Sequence, residues 1–217
     1  MTEARAAYQA LRDLILRTEL RPSEPLVESD LMQRLGVGRT PLRDALRLLA
    51  HDGLVDIEAR RGTRVSHVRI DDLQQIFEVR SGVEEMVGRL AAARVRPEHV
   101  VELEDLIARV RASDSRESDV ALDTEFHHLL LRIANNRYLD AIYRRLFDAS
   151  LRVMYLTQAG VEPRARQAET FEAVAEALRE GDGERLAELL REHIGETRTR
   201  VAGALFDRRG PALDRRN

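Results

Sequence analysis

From Asp71 onward the chain repeats one pattern, an amphipathic helical period interrupted at short intervals by residues that stop helices. The interruptions are Pro97 after Val95-Arg96, Ser113-Asp114-Ser115, Asn135-Asn136, Gly160 with Pro163, and Gly181-Asp182-Gly183. Proline lacks the N–H a helix interior needs, and glycine or asparagine takes the left-handed conformation that closes a helix. The spacing predicts helices over 71–94, 97–113, 118–134, 137–158, 163–181 and 184–206. Six amphipathic helices on short links can bury their apolar stripes only against one another, so a helical bundle is expected.

The first 69 residues are built differently. They carry four of the twelve glycines and three of the six prolines, and their elements are short. A helical period over 4–18 puts Tyr8, Leu11, Leu14 and Ile15 on one stripe, then breaks at Pro22 and Pro25. A short helix follows at 28–35, with Leu31, Met32 and Leu35 inward, and then the tight turn Gly36-Val37-Gly38. The next helix spans 39–52, with Pro41 in its first turn, where a missing N–H costs nothing, and Gly53 as its stop. Leu54-Val55-Asp56-Ile57 and Thr63-Arg64-Val65 flank Glu58-Ala59-Arg60-Arg61-Gly62, a β-hairpin with a basic tip. The expected fold is mainly α: an N-terminal winged helix-turn-helix (1–69), a C-terminal all-α six-helix bundle (70–207) and a disordered tail (208–217). The boundary is expected near Ser66–Ile70.

Composition narrows the function. There is no cysteine, which removes disulfides, thiolate catalysis and Cys-ligated zinc. All 35 basic residues are arginine, which removes Schiff-base and P-loop lysine chemistry. Without tryptophan and with 4% aromatic residues, the core is expected to be aliphatic. No apolar run approaches the roughly 18 residues of a membrane span, and the charged start MTEARAAYQALRD is no signal peptide, so a cytoplasmic protein is expected. The net charge of −3 hides a division: residues 1–69 hold 12 arginines against 10 acids, residues 70–217 hold 23 against 28.

Helix, turn, helix and a two-stranded wing is a DNA-binding arrangement, and the side chains suit it. On the helix 39–52, Leu42, Leu46 and Leu49 face inward, while Arg39, Arg43 and Arg47 follow one another at four-residue steps on another face. Arginines at the start of a helix in the major groove bond phosphate or take guanine O6 and N7 in bidentate fashion. Thr40 suits phosphate or a thymine methyl, and Arg60, Arg61 and Arg64 around Gly62 suit the neighbouring backbone or minor groove. A solvated face, salt-bridged through Asp44 and nearby acids, accounts for the same stripe; the order of elements favours DNA.

In the helical part, Asp123 and His127 share a face at i, i+4, and His193 on the last helix is the candidate to join them around a divalent cation. His128 points about 100° away from His127. The pair by itself is common and needs no metal. A hydrolytic metal centre lacks any distinctive motif for a general base, so an enzyme is not expected.

The run LGVGRTPLRDALRLLAHDGLVDIEARRGTRV, Leu35 to Val65, resembles the DNA-binding domain of the GntR family of bacterial transcription regulators, and Tyr8, Ile15, Leu20, Pro22 and Leu26 extend the resemblance over 5–67. Gly38 stands where the family usually has Ser or Thr, Ser23 where a turn glycine is common, and Ser29 where some members aim an arginine at DNA. Residues 71–206 resemble the FCD effector domain of the FadR-type members in its six-helix form. Glu78-Val79-Arg80 to Glu84 with Leu90-Ala91-Ala92-Ala93, Asp123-Thr124-Glu125-Phe126-His127, Asn136-Arg137-Tyr138-Leu139 and His193 carry it.

The resemblance implies a homodimeric, ligand-responsive regulator, most often a repressor, on an inverted-repeat operator in double-stranded DNA. It also implies a small carboxylate effector near Arg80, Asp123, His127, Asn136 and His193, and one divalent, zinc-like metal on one Asp and three His. The third family histidine falls on Phe171, just before Ala173-Val174-Ala175-Glu176-Ala177-Leu178, which leaves Asp123, His127 and His193. A three-ligand site and a metal-free anion pocket both remain open. Arg80 also fits a structural pair with Glu84, and Gly82 and Gly88 suit a close ligand or helix. The rival functions are a regulator responding to a fatty acyl thioester and a constitutive DNA-binding protein whose C-domain only dimerises.

Overall fold

A computed structural model describes residues 2–58, 60, 62–67, 72–157 and 163–207. The expected tail, 208–217, lies outside them. The chain divides into two compact units, Met1–Leu73 with Asp148–Leu156, and Gln74–Phe147 with Thr157–Asn217.

The first unit opens with α1 (Glu3–Leu16), whose first turn is capped by Thr2 Oγ1 accepting from the Arg5 N–H at 3.3 Å. Its apolar stripe, Ala7, Tyr8, Leu11 and Ile15, is buried and packs chiefly on α3 (Arg39–His51). On that helix Leu42, Ala45, Leu46 and Leu49 are all buried. In the chain α2 (Glu28–Leu35) precedes α3 and packs on it, and Gly53 closes α3 at φ 75°. Tyr8 Oη donates to Asp52 Oδ2 at 2.6 Å, joining α1 to the end of α3. Burial pushes the Tyr8 hydroxyl up to about 12, helped by the bond to Asp52 and that carboxylate's charge.

The hairpin forms from β2 (Val55–Glu58) and β3 (Gly62–Val65), in antiparallel register Val55↔Val65 to Glu58↔Gly62. A strand not expected from the sequence, β1 (Pro25–Leu26), pairs with the other edge of β3, giving the order β1-β3-β2. Residues Asp148–Leu156 are anchored within this unit: Arg12 pairs with Asp148, and Arg152 donates to Ser66 Oγ at 2.8 Å and to the Ser66 carbonyl at 2.6 Å.

The second unit is the expected helical set: α4 (Asp72–Ala92), α5 (Pro97–Ala112), α6 (Arg116–Ala134), α7 (Arg137–Thr157, whose last part is the segment just described), α8 (Arg164–Glu180) and α9 (Gly183–Asp207). Helix α5 packs on α6 and α8, and α8 on α9. Leu103, Leu130, Val174, Leu178, Leu186 and Leu190 are fully buried, but the interior is not purely aliphatic as expected: its largest fully buried side chains are Tyr143, Phe126 and Phe171. Gly88 lets α4 and α9 approach closely, because a Cβ there would lie 3.0 Å from the Ala187 amide nitrogen. Gly82 has open space instead, with nothing within 4 Å of its Cβ position.

Candidate functional site

Two groups of residues stand out, one in each unit. In the first, the turn Gly36-Val37-Gly38 delivers α3 with its N-terminal arginines outward. Gly38 is the N-cap and provides no side-chain bond, as its departure from the family pattern implies. Arg39 and Thr40 are exposed, and the Arg39 Nε lies 3.9 Å from Glu28 Oε2. Arg43 Nε donates to Glu28 Oε1 at 2.8 Å, and Arg47 to Asp44 Oδ1 at 3.1 Å. The paired, solvated face therefore exists in the DNA-free protein. Exposed pairs of this kind are worth only about 0–1 kcal/mol, so phosphate or base edges can replace the carboxylates. On the wing, Arg60 is exposed in the left-handed conformation at φ 68° and Gly62 has φ 88°. Arg64 on β3 lies opposite Asp56, half-exposed, its Nε without a hydrogen-bond partner. Arg61 lies outside the described residues.

In the second unit, Arg80, Asp123, His127 and His193 come together in the interior from α4, α6 and α9, each nine-tenths or more buried. His127 is at the centre. Its Nδ1 lies 3.2 Å from Glu84 Oε1, and its Nε2 lies 3.2 Å from an Arg80 nitrogen and 3.8 Å from Asp123 Oδ2. His193 Nε2 lies 3.5 Å from Asp123 Oδ1. Arg80 also donates to Glu84 Oε1 at 3.2 Å and stacks over Phe147 at 4.9 Å. The structural pairing of Arg80 with Glu84 is thus present, and the guanidinium reaches His127 as well.

Burial by itself would raise the Glu84 carboxyl; the charge of His127, the Arg80 guanidinium and the Tyr143 hydroxyl outweigh it and hold the group at about 2. Burial opposes ionisation of Asp123 too, but its bond to His193 and the charges of His127, His193 and Arg80 keep it well below the usual carboxylate range. Both acids are therefore anionic acceptors at neutral pH.

Ligand atoms of Asp123, His127 and His193 all lie within 4.8 Å of one another, a donor set that fits a divalent cation. Phe171 is fully buried, its ring stacked on Phe126 at 3.8 Å and 8°. Asn136 uses its side chain elsewhere: Oδ1 accepts from the Tyr138 and Leu139 amides at 3.1 and 3.2 Å, capping α7. His128, half-buried, lies against Phe147 with ring centroids 5.6 Å apart.

Three members of the cluster escaped the sequence reading as site residues. Glu84 was legible only as the partner of Arg80. Tyr143 donates to Glu84 Oε1 at 2.7 Å. Gln167, fully buried, donates through Nε2 to Asp123 Oδ1 at 3.4 Å, and its Oε1 has no partner. A signal for it did exist: Gln167, Phe171, Val174 and Leu178 follow i, i+4, i+7, i+11, one inward stripe of α8.

A winged helix-turn-helix with outward arginines, followed by an all-helical unit enclosing a polar cluster, is the build of a DNA-binding transcription regulator. Residues 3–65 match the family described as bacterial regulatory proteins, gntR family, and residues 75–196 match the FCD domain. The chain belongs to this family. It is 30% identical over 200 residues to the HTH-type transcriptional repressor GlaR of Escherichia coli K12, covering 86% of this chain and 90% of that one. It is 27% identical over 192 residues to the HTH-type transcriptional repressor RspR of the same organism, covering 87% and 84%. Escherichia coli McbR/YncC shares the fold, with a TM-score of 0.78 at 19% identity over 94% of this chain and 99% of that one. The family and these relatives are regulators, so the chain is not an enzyme. Among the described residues no helix is long and apolar enough to cross a membrane.

Proposed function

We propose that this regulator is a cytoplasmic homodimeric repressor, reading an inverted-repeat operator through α3 and the wing and answering to a small carboxylate bound at the buried cluster. The observation that carries the reading is the convergence of Arg80, Asp123, His127 and His193 in the interior of the helical unit. A structural core has little use for so many buried polar groups, which are costly unless paired. GlaR and RspR, both named repressors, support the sign of regulation.

Asp123, His127 and His193 would hold the metal. Two carboxylates, Glu84 and Asp123, share the cluster with one guanidinium, and Arg80 is already engaged by Glu84 and His127. A guanidinium so engaged has little left for an incoming carboxylate. A bound dication supplies the positive charge that makes an anion welcome, with Arg80 as its second contact. Dimerisation is supported by an apolar strip that a second copy would cover: Val79 and Met86 are 52% exposed on α4, flanking Gly82, and Tyr138 and Ile142 are exposed on α7.

The test is fluorescence anisotropy on an operator selected from random DNA, with a panel of small carboxylates, on chelator-treated and metal-reloaded protein. One narrow class of carboxylate should release the DNA from the reloaded protein and raise its melting temperature. If no ligand changes either quantity, the constitutive DNA-binding reading replaces this one.

A further inference from the structure

We propose that Gln167 replaces the imidazole missing at Phe171, supplying the fourth donor to a divalent cation held by Asp123, His127 and His193. The inference rests on the metal-binding reading above and concerns a residue the family pattern does not assign.

Phe171 cannot ligate, and its stack on Phe126 fills that corner with carbon. One helical turn earlier on the same face of α8 stands Gln167, fully buried among the metal-ligand candidates. A buried carboxamide oxygen without a partner costs about 1–3 kcal/mol, so a buried glutamine with an idle Oε1 needs a reason. The cluster offers one. Gln167 Nε2 lies 3.4 Å from Asp123 Oδ1, the same oxygen that faces His193 Nε2 at 3.5 Å. The carboxamide therefore reaches the space those ligands enclose. A half-turn about its last bond exchanges nitrogen for oxygen. The end that donates to a carboxylate can thus present oxygen to a cation at the same point. Replacing an imidazole by a carbonyl oxygen makes the donor set harder, which narrows the usual advantage of zinc over manganese.

The experiment is equilibrium binding of Zn²⁺, Mn²⁺ and Co²⁺ to the full-length protein and to Gln167→Met, Phe171→His and the double variant. Circular dichroism and melting temperature accompany each protein, and the visible bands of bound Co²⁺ report the ligand set. Gln167→Met keeps the side-chain volume and removes the amide; Gln167→Glu serves as a second variant that keeps the donor oxygen. Gln167→Met should weaken binding by at least about tenfold and alter the Co²⁺ bands, and Gln167→Glu should retain or tighten binding. Because both residues would serve one corner, Phe171→His should gain much more affinity in the Gln167→Met background than in the wild type. Equal gains in the two backgrounds, or Co²⁺ bands and affinity untouched by Gln167→Met, would overturn the assignment to Gln167 while leaving the three-ligand metal site standing. A wild-type protein that takes up none of the three ions overturns the metal site itself, and Gln167 with it.

Discussion

Tyr8 is buried with its hydroxyl on Asp52 at 2.6 Å, so losing that proton would put two anions in contact inside the DNA-binding unit. Its ordinary value of 10.0 rises to about 12 in the fold. Between those two values the unfolded chain has released the proton and the folded chain still holds it. Its contribution to stability is therefore complete below pH 10 and is lost as pH rises toward 12. Denaturant unfolding across this window should show a falling limb for the wild type and a flatter one for Tyr8→Phe, which costs about 1 kcal/mol at neutral pH. An unchanged alkaline limb in Tyr8→Phe would assign the loss to other groups. On α3, Arg39→Ala or Arg43→Ala should cost roughly 1–3 kcal/mol on the selected operator, whereas Arg61→Ala should reduce affinity and the salt slope with little effect on base preference. Binding curves over a salt series on cognate and single-base-changed operators separate the two behaviours. Unchanged cognate affinity in both α3 variants would remove α3 from base reading.

Two glycines of α4 make opposite predictions from the same substitution. Gly82→Ala adds a methyl that meets nothing within its own chain and removes a helix-propensity penalty of about 1 kcal/mol, a gain to be read in a Met86→Glu background, where the strip a second copy would cover is opened. Gly88→Ala gains the same propensity but drives a methyl against the backbone of α9 at Ala187, and should lower the melting temperature. Thermal unfolding of both variants checks this pair; a stabilised Gly88→Ala protein would mean that α9 can yield. The helices themselves were legible because Pro97, Asn135-Asn136 and Gly181 break a strong apolar period, and each helix end falls within two residues of expectation. Strand β1 was not legible, because two residues beginning with proline have no period; it exists by pairing with β3. In the site, Asp123 and His127 declared themselves by spacing, and His193 and Arg80 by the family pattern. Gln167 and Tyr143 did not, because a lone glutamine or tyrosine on a helix looks the same whether it meets solvent or a buried carboxylate. Only the packing of α8 and α7 against α6 and α4 distinguishes them.

For the whole molecule, the proposed function would tie the reading of palindromic DNA to pairing of two copies through the exposed Val79–Gly82–Met86 strip. Sedimentation equilibrium of the full chain should give a dimer at tens of micromolar. Met86→Glu should shift it toward monomer and weaken operator binding much more than half-site binding, with helicity unchanged. A Met86→Glu protein that remains a tight dimer would move the interface off this strip.

The stack of Phe171 on Phe126 also bears on how such a site drifts over generations. Phe171 is fully buried, so a phenylalanine in this closed interior gains about 1.5–3 kcal/mol from the apolar surface it removes from water. Placing histidine there must surrender that gain and bring a polar ring into an apolar corner before any metal compensates. Forward and backward substitutions are thus unequal in difficulty, and the corner acts as a ratchet. At the proposed cation site, a donor missing at position 171 is therefore supplied more readily from neighbouring residues of α8 than by histidine at 171 itself.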